Sequence, residues 1–189
     1  LPQHGPDSDD PWSEDEMESV AKQVALGTIK FGMLDRDVNQ KIVFDMKEWT
    51  QFKGKTGPYL QYVTARTASI LRKAADKGKT LDASLLDDEA ALTKVAASLQ
   101  HPYERQVINL IAGLPGVVMR AAETNRPSAV VTYLFEFAKG VNDFYASKDC
   151  KVIAAEGDLL QARLVLVKAA REALAWGLDL LGIPAPERM

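Results

Sequence analysis

The chain has 189 residues, 47% of them hydrophobic and 26% charged, the balance of a globular protein with one core. It contains no run of about 18 consecutive apolar residues and opens on no basic start followed by an apolar stretch, so neither a membrane span nor a signal peptide is predicted. The net charge of −3 argues at first against a nucleic-acid partner.

The distribution of charge says more than its total. Residues 1–19 hold seven acids (Asp7, Asp9, Asp10, Glu14, Asp15, Glu16, Glu18) and no Lys or Arg. Residues 41–80 hold nine bases (Lys41, Lys47, Lys53, Lys55, Arg66, Arg72, Lys73, Lys77, Lys79) against three acids. Local charge decides whether a phosphate backbone is attracted; a solvated helix face is the competing reading of the same segment. The single cysteine, Cys150, has no internal disulfide partner, which fits a reducing compartment. Lys148 and Lys151 beside it could lower its pKa, but His4 and His101 are the only histidines to serve as a base, so a bystander thiol at a helix end is expected. This inventory also excludes the usual zinc spacings.

Residues 1–12 are acidic and contain Pro2, Pro6 and Pro11, the composition of a mobile tail. Ser13 followed by Glu16 is a capping-box pattern, and a helix is predicted from Glu14 to Leu26 with Met17, Val20 and Val24 on its apolar face. Gly27 is expected to interrupt it before helical pattern resumes to Leu34. Asp35 to Gln40 reads as turns, and Ile42-Val43-Phe44 as one short strand. The Lys53–Pro58 segment is a loop, and Pro58 fits the first turn of a helix running to Lys77, stopped by Gly78. Helices follow from Asp88 to Leu99 and from Tyr103 to Leu114. Another is opened by Pro115 and runs to Glu123, and another is opened by Pro127 and runs to Phe144. A last helix carries Leu160, Leu164, Val167, Leu174, Leu178 and Leu181 on one stripe and stops at Gly182. The expected fold is mainly α: an antiparallel helical bundle over 58–189, preceded by a helical linker segment over 13–57 with one short strand. Trp12, Trp49 and Trp176 are read as packing residues.

Two blocks carry a family resemblance. Gly57-Pro58-Tyr59-Leu60-Gln61-Tyr62-Val63-Thr64-Ala65-Arg66, entered through Lys53-Gly54-Lys55-Thr56, resembles the arginyl-tRNA synthetase signature of glycine, any residue, threonine, glycine, proline, tyrosine running into Gln-Tyr and Ala-Arg. The chain end, Pro186-Glu187-Arg188-Met189, is similar to the family's closing Glu-Arg-Met. Between them Gln161-Ala162-Arg163-Leu164 is similar to the Asp-Ala-Leu-Arg-type element that names the family's helical anticodon-binding domain. Lys55 departs from the pattern, standing where the family has Asn or Asp. The family's His-Ile-Gly-His-type and Lys-Met-Ser-Lys-Ser-like motifs do not occur, so the resemblance implies a chain that starts just downstream of the active site and is inactive alone.

The resemblance implies tRNA(Arg) as partner, a cytoplasmic location, a catalytic domain in cis that uses ATP and Mg²⁺, and no cofactor on this chain; DNA and membrane are not expected partners. Unpaired anticodon bases are read by aromatic stacking and by hydrogen bonds to their edges. Tyr59, Tyr62 and Arg66, spaced three and four apart, share one helix face, and with Lys53 and Lys55 they offer stacking and phosphate contact. Gln61, Tyr145, Arg188 and Met189 complete the candidate RNA-binding set, the last two because the family's C-terminal residues reach the anticodon loop. Packing against the bundle is the competing reading for each tyrosine. A stand-alone tRNA-binding paralogue and a helical protein-interaction module are the alternatives for the whole chain.

Overall fold

The computed structural model describes residues 12–37 and 39–189. Among the described residues seven α-helices follow in chain order: α1 Glu14–Leu34, α2 Met46–Trp49, α3 Gly57–Ala75, α4 Glu89–Ala96, α5 Pro102–Thr124, α6 Pro127–Ala146 and α7 Gly157–Leu180. Short 3-10 turns at Ala83–Leu86 and Val152–Ala154 stand before α4 and α7.

Local chemistry sets most of the helix ends. Ser13 and Glu16 form the expected reciprocal cap of α1, the Ser13 N–H donating to Glu16 Oε2 at 2.9 Å and the Glu16 N–H to Ser13 Oγ at 3.2 Å. Thr56 caps α3, accepting from the Tyr59 N–H at 3.3 Å, with Pro58 in the first turn where its missing N–H costs nothing. Gly78 and Gly182 take positive φ (71° and 63°) just beyond α3 and α7, the left-handed conformation that ends a helix and that glycine adopts without strain.

Four expectations are corrected. α1 runs unbroken through Gly27, because that glycine is buried where α3 crosses: a Cβ there would lie 2.5 Å from the Gln61 carboxamide. α5 likewise runs through Pro115. The ring lies on its exposed side, where the freed carbonyl can turn to water, so one helix of 23 residues replaces the two predicted. Ile42–Phe44 forms no strand; a lone β-branched segment with no partner leaves its backbone unpaired, and Val43 is 71% exposed. Instead Asp45 caps the short helix α2 through the N–H groups of Lys47 and Glu48. Trp176, expected to pack, is 46% exposed, whereas Trp12, at the end of the expected tail, is buried; the rest of that tail lies outside the described residues.

The bundle is built on α3 and α7. α7 runs antiparallel to α3: its start meets the segment after α3, where Gln161 bonds Thr80 O and the Asp82 N–H. α5 and α6 form an antiparallel hairpin, with Tyr133 donating to Leu110 O at 2.8 Å and Gly140 seated against Leu110 and Gln106. α6 lies alongside α3 in parallel, which shows in a constant offset of 76–77 residues between Lys55 and Thr132, Tyr59 and Phe135, and Arg66 and Asn142. The core lies between these helices and includes Leu60, Val63, Leu134, Phe137, Phe144, Leu164, Leu174 and Leu178, each almost wholly buried. One described helix, α5, is long and apolar enough by length and composition to cross a membrane, which the absence of a continuous apolar run had not indicated. In the bundle its inner face packs on α6 and α7.

Candidate nucleic-acid interface

The parallel alignment of α3 and α6 brings Tyr62 and Arg66 beside the end of α6, where Tyr145 closes the helix. Arg66 Nη1 donates to Asn142 Oδ1 at 2.6 Å, and its guanidinium carbon lies 4.2 Å from the Tyr145 ring centroid and 5.2 Å from that of Tyr62. Among the described residues Arg66 makes no ion pair; an amide oxygen and two aromatic rings hold it. Cation–ring contacts of this kind fix a guanidinium without neutralising it. The Lys151 ammonium also stands 4.9 Å from the Tyr145 ring and donates to Tyr145 O at 3.2 Å.

The chain end arrives at the same place. Beyond Gly182 it lies over α1 and α3. Lys30 donates to Gly182 O, Arg72 to Glu187 O at 3.3 Å, and the Glu187 carboxylate pairs with Arg171. Arg188 lies 3.7 Å from Glu16 Oε1 and 5.3 Å from the Trp12 ring.

A groove of about 430 Å³ results, with Tyr62, Arg66, Tyr145, Arg188 and Met189 in its lining. Five of the nine sequence-derived candidates therefore meet. Arg72, Lys73 and Lys151 join them, and among the described residues no Asp or Glu lines the groove. Those three cations were not among the candidates. Lys73 could have been found by continuing the Tyr62–Arg66 face: Ser69 and Lys73 follow at the same helical spacing. Lys151 sits in an irregular segment that carries no such periodicity.

The remaining four candidates lie elsewhere. Gln61 does not line the groove: it is 0% exposed, and its Nε2 donates to Gln23 O at 3.0 Å and Pro184 O at 2.8 Å. Lys53 and Lys55 line a separate cleft of about 350 Å³ with Trp49, Arg36 and Asp35; Lys55 pairs with Asp35 at 2.5 Å and donates to Thr132 Oγ1 at 3.1 Å. Tyr59 is half-buried against Phe135 with ring centroids 5.6 Å apart. Burial raises its hydroxyl pKa, the Asp143 carboxylate adds to the rise and Arg66 opposes it.

Cys150 lies buried at the groove wall. Burial pushes its thiol above the ordinary value, the opposite of what Lys148 and Lys151 could have done, and the expected bystander thiol fits this. Behind that wall Arg163, from the Gln161–Leu164 element, is buried. Its Nε meets Glu104 Oε1 at 2.7 Å, while Nη2 and Nη1 donate to Asp149 O at 2.7 Å and Lys151 O at 3.3 Å. Lys79 holds Ile153 O and Ala155 O at 2.8 and 2.9 Å. Alternate carbonyls of the segment that carries Lys151 are thus gripped by two cations.

Comparison with known proteins covers nearly the whole chain. An arginine–tRNA ligase of Bdellovibrio bacteriovorus is 42% identical over 181 residues, which is 94% of this chain and 28% of that protein. One from Pyrococcus furiosus is 37% identical over 177 residues, 94% of this chain and 27% of the relative. The solved arginyl-tRNA synthetase of Thermus thermophilus superposes with a TM-score of 0.79 at 35% identity, over 98% of this chain and 29% of that one. The chain thus spans under a third of the length of these relatives. Residues 60–189 match the family described as the DALR anticodon binding domain; they include both walls of the groove and the chain end, and the chain belongs to that family in the form found in arginyl-tRNA synthetases.

Proposed function

We propose that the groove binds the anticodon arm of tRNA(Arg), and that the chain is the tRNA-reading portion of an arginine–tRNA ligase acting in the cytoplasm. The observation that carries this reading is the convergence of two tyrosines, a guanidinium held by rings and a C-terminal methionine from three distant segments. They meet inside a groove that, among the described residues, has five cationic side chains and no acidic one.

Each part has a physical task. Tyr62 and Tyr145 offer ring faces to unpaired bases, at about 1–3 kcal/mol per stacked base. Arg66, held but not neutralised, offers its guanidinium to a base edge or a phosphate. Arg72, Lys73 and Lys151 take the flanking phosphates, and Met189 gives an adaptable apolar contact. Tyr59, Lys53 and Lys55 stand further along α3 and its entry loop and can meet the arm outside the groove. Residues 13–57 would join this domain to a catalytic part in cis that attaches arginine using ATP and Mg²⁺. Among the described residues no group of three or more His, Cys, Asp or Glu could hold a metal ion.

Filter binding tests the reading. The chain is expected to bind tRNA(Arg) in a salt-dependent manner and to discriminate against a transcript with an exchanged anticodon. Equal affinity for both transcripts would sink the claim of anticodon reading.

A further inference from the structure

Gln61 stands where three elements meet. Its carboxamide is closed off from solvent between α1, α3 and the C-terminal segment, and both of its amide hydrogens go to backbone carbonyls, Gln23 O on α1 and Pro184 O on the chain end. Only the NH₂ group can serve two carbonyls, so the orientation of the amide is settled by its partners. Its Oε1 is left buried without a hydrogen bond. A Leu or Met would fill the same space without that orphaned oxygen, so filling space does not explain a glutamine here. α1 leaves room for the group by carrying glycine at residue 27, where a Cβ would strike the carboxamide.

Surface contacts also hold the chain end: Lys30 at Gly182 O, Arg72 at Glu187 O, Arg171 at the Glu187 carboxylate and Glu16 at Arg188. Each has at least one exposed partner, and exposed charge contacts hold weakly. The Gln61 bonds are sheltered from water, which competes for every surface hydrogen bond. From Pro184 to Met189 an extended chain covers about 17 Å. Loss of the Pro184 anchor would leave that stretch held mainly by surface contacts.

We propose that Gln61 is a positioning residue: its carboxamide fastens the C-terminal segment to α1 and thereby sets where Arg188 and Met189 stand beside Tyr62 and Arg66. The inference rests on the reading of the groove as the RNA-binding surface. Gln61 touches no RNA; it acts through the chain end.

The variant Gln61→Met keeps the length and apolar bulk of the side chain and removes both donors. In the chain, amide hydrogen exchange over 183–189 is expected to quicken about tenfold while the centre of α7 is unchanged, and tRNA affinity is expected to fall by about the same factor. In a chain shortened to end at Glu187, Gln61→Met has no further effect on affinity, since the residues it positions are gone. An equal loss in both backgrounds overturns the proposal, as does unchanged exchange over 183–189. If the unmodified chain binds no tRNA at low salt while Gln61→Met still loosens the chain end, the groove reading fails and the fastening stands. Should Gln61→Met lose its helical circular dichroism, Gln61→Asn, which keeps the carboxamide but shortens its reach, is held to the same outcomes.

Discussion

Arg163 and Glu104 form an ion pair at 2.7 Å in which both side chains are almost wholly buried. The pair is fully used at both ends. Glu104 Oε2 accepts the His101 N–H at 2.9 Å as part of the cap of α5, while the remaining Arg163 nitrogens hold Asp149 O and Lys151 O. One carboxylate therefore starts a helix and anchors the cation that shapes the groove wall.

Removing one member strands the other. Arg163→Met leaves the Glu104 carboxylate buried without its cation and is expected to cost about 3–5 kcal/mol of stability, a large share of a typical domain's total. Replacing both residues with apolar ones is expected to cost less than the single change. Urea unfolding of the variants checks this; a loss below about 1 kcal/mol for Arg163→Met would show that the pair does not hold the wall.

The groove predicts which cations matter. Lys73→Ala and Lys151→Ala are each expected to weaken tRNA binding for every sequence alike. Each should also flatten the dependence of log affinity on log salt by about 0.7–0.9 for every phosphate left without its cation. Lys55→Ala, already tied to Asp35 and Thr132, should change that slope less. Salt titrations of the three variants decide between this groove and the cleft beside Trp49 as the main phosphate site.

Tyr62→Ala is expected to reduce affinity by about 1–3 kcal/mol if one base stacks on the ring, and Tyr62→Phe to retain most of it. A Phe variant as weak as the Ala variant would assign the effect to the hydroxyl instead of the ring.

Two helical glycines should respond oppositely to alanine. At Gly116 a Cβ would meet nothing within 4 Å, so Gly116→Ala is expected to stabilise α5 by about 0.5–1 kcal/mol. At Gly27 the Cβ would collide with the Gln61 carboxamide, which is pinned at two carbonyls and cannot yield. Gly27→Ala is expected to destabilise by about 1–3 kcal/mol despite the same propensity gain. Thermal melts of both variants test the sign at each site.

Cys150 should be slow to react. Because burial raises its thiol pKa, the thiolate fraction near neutral pH is smaller than in a free cysteine, and access is closed as well. Modification by an aromatic disulfide reagent is expected to be slow in the native chain and rapid in denaturant. Fast native labelling would contradict the burial.

What could be read from the residues was whatever chemistry acts over a few positions. The Ser13–Glu16 cap, Pro58 in the first turn of α3, and Gly78 and Gly182 beyond their helices all work through neighbours in sequence, and the structure has each of them. Gly27 and Pro115 defeat the same local logic: one is set by what packs against it, the other by which side faces water. Gln61 shows the limit most plainly. Its neighbour Tyr62 opens onto the groove, yet a helical turn of about 100° per residue sends Gln61 toward α1, and nothing near it in sequence announces α1 or Pro184. Tyr62, Arg66, Tyr145, Arg188 and Met189 were legible because they lie in motif blocks or close a patterned helix; Arg72 meets the returning chain end at Glu187 O, and Lys151 reaches Tyr145 from an irregular segment.

The carboxamide of Gln61 joins residues 38 positions before it and 123 after it. Because synthesis runs from the N-terminus, the fastening cannot close until Pro184 has left the ribosome, long after α1 and α3 have emerged. The groove is then completed late, and on the proposed reading a copy clipped ahead of Pro184 is expected to bind RNA more weakly than the whole chain.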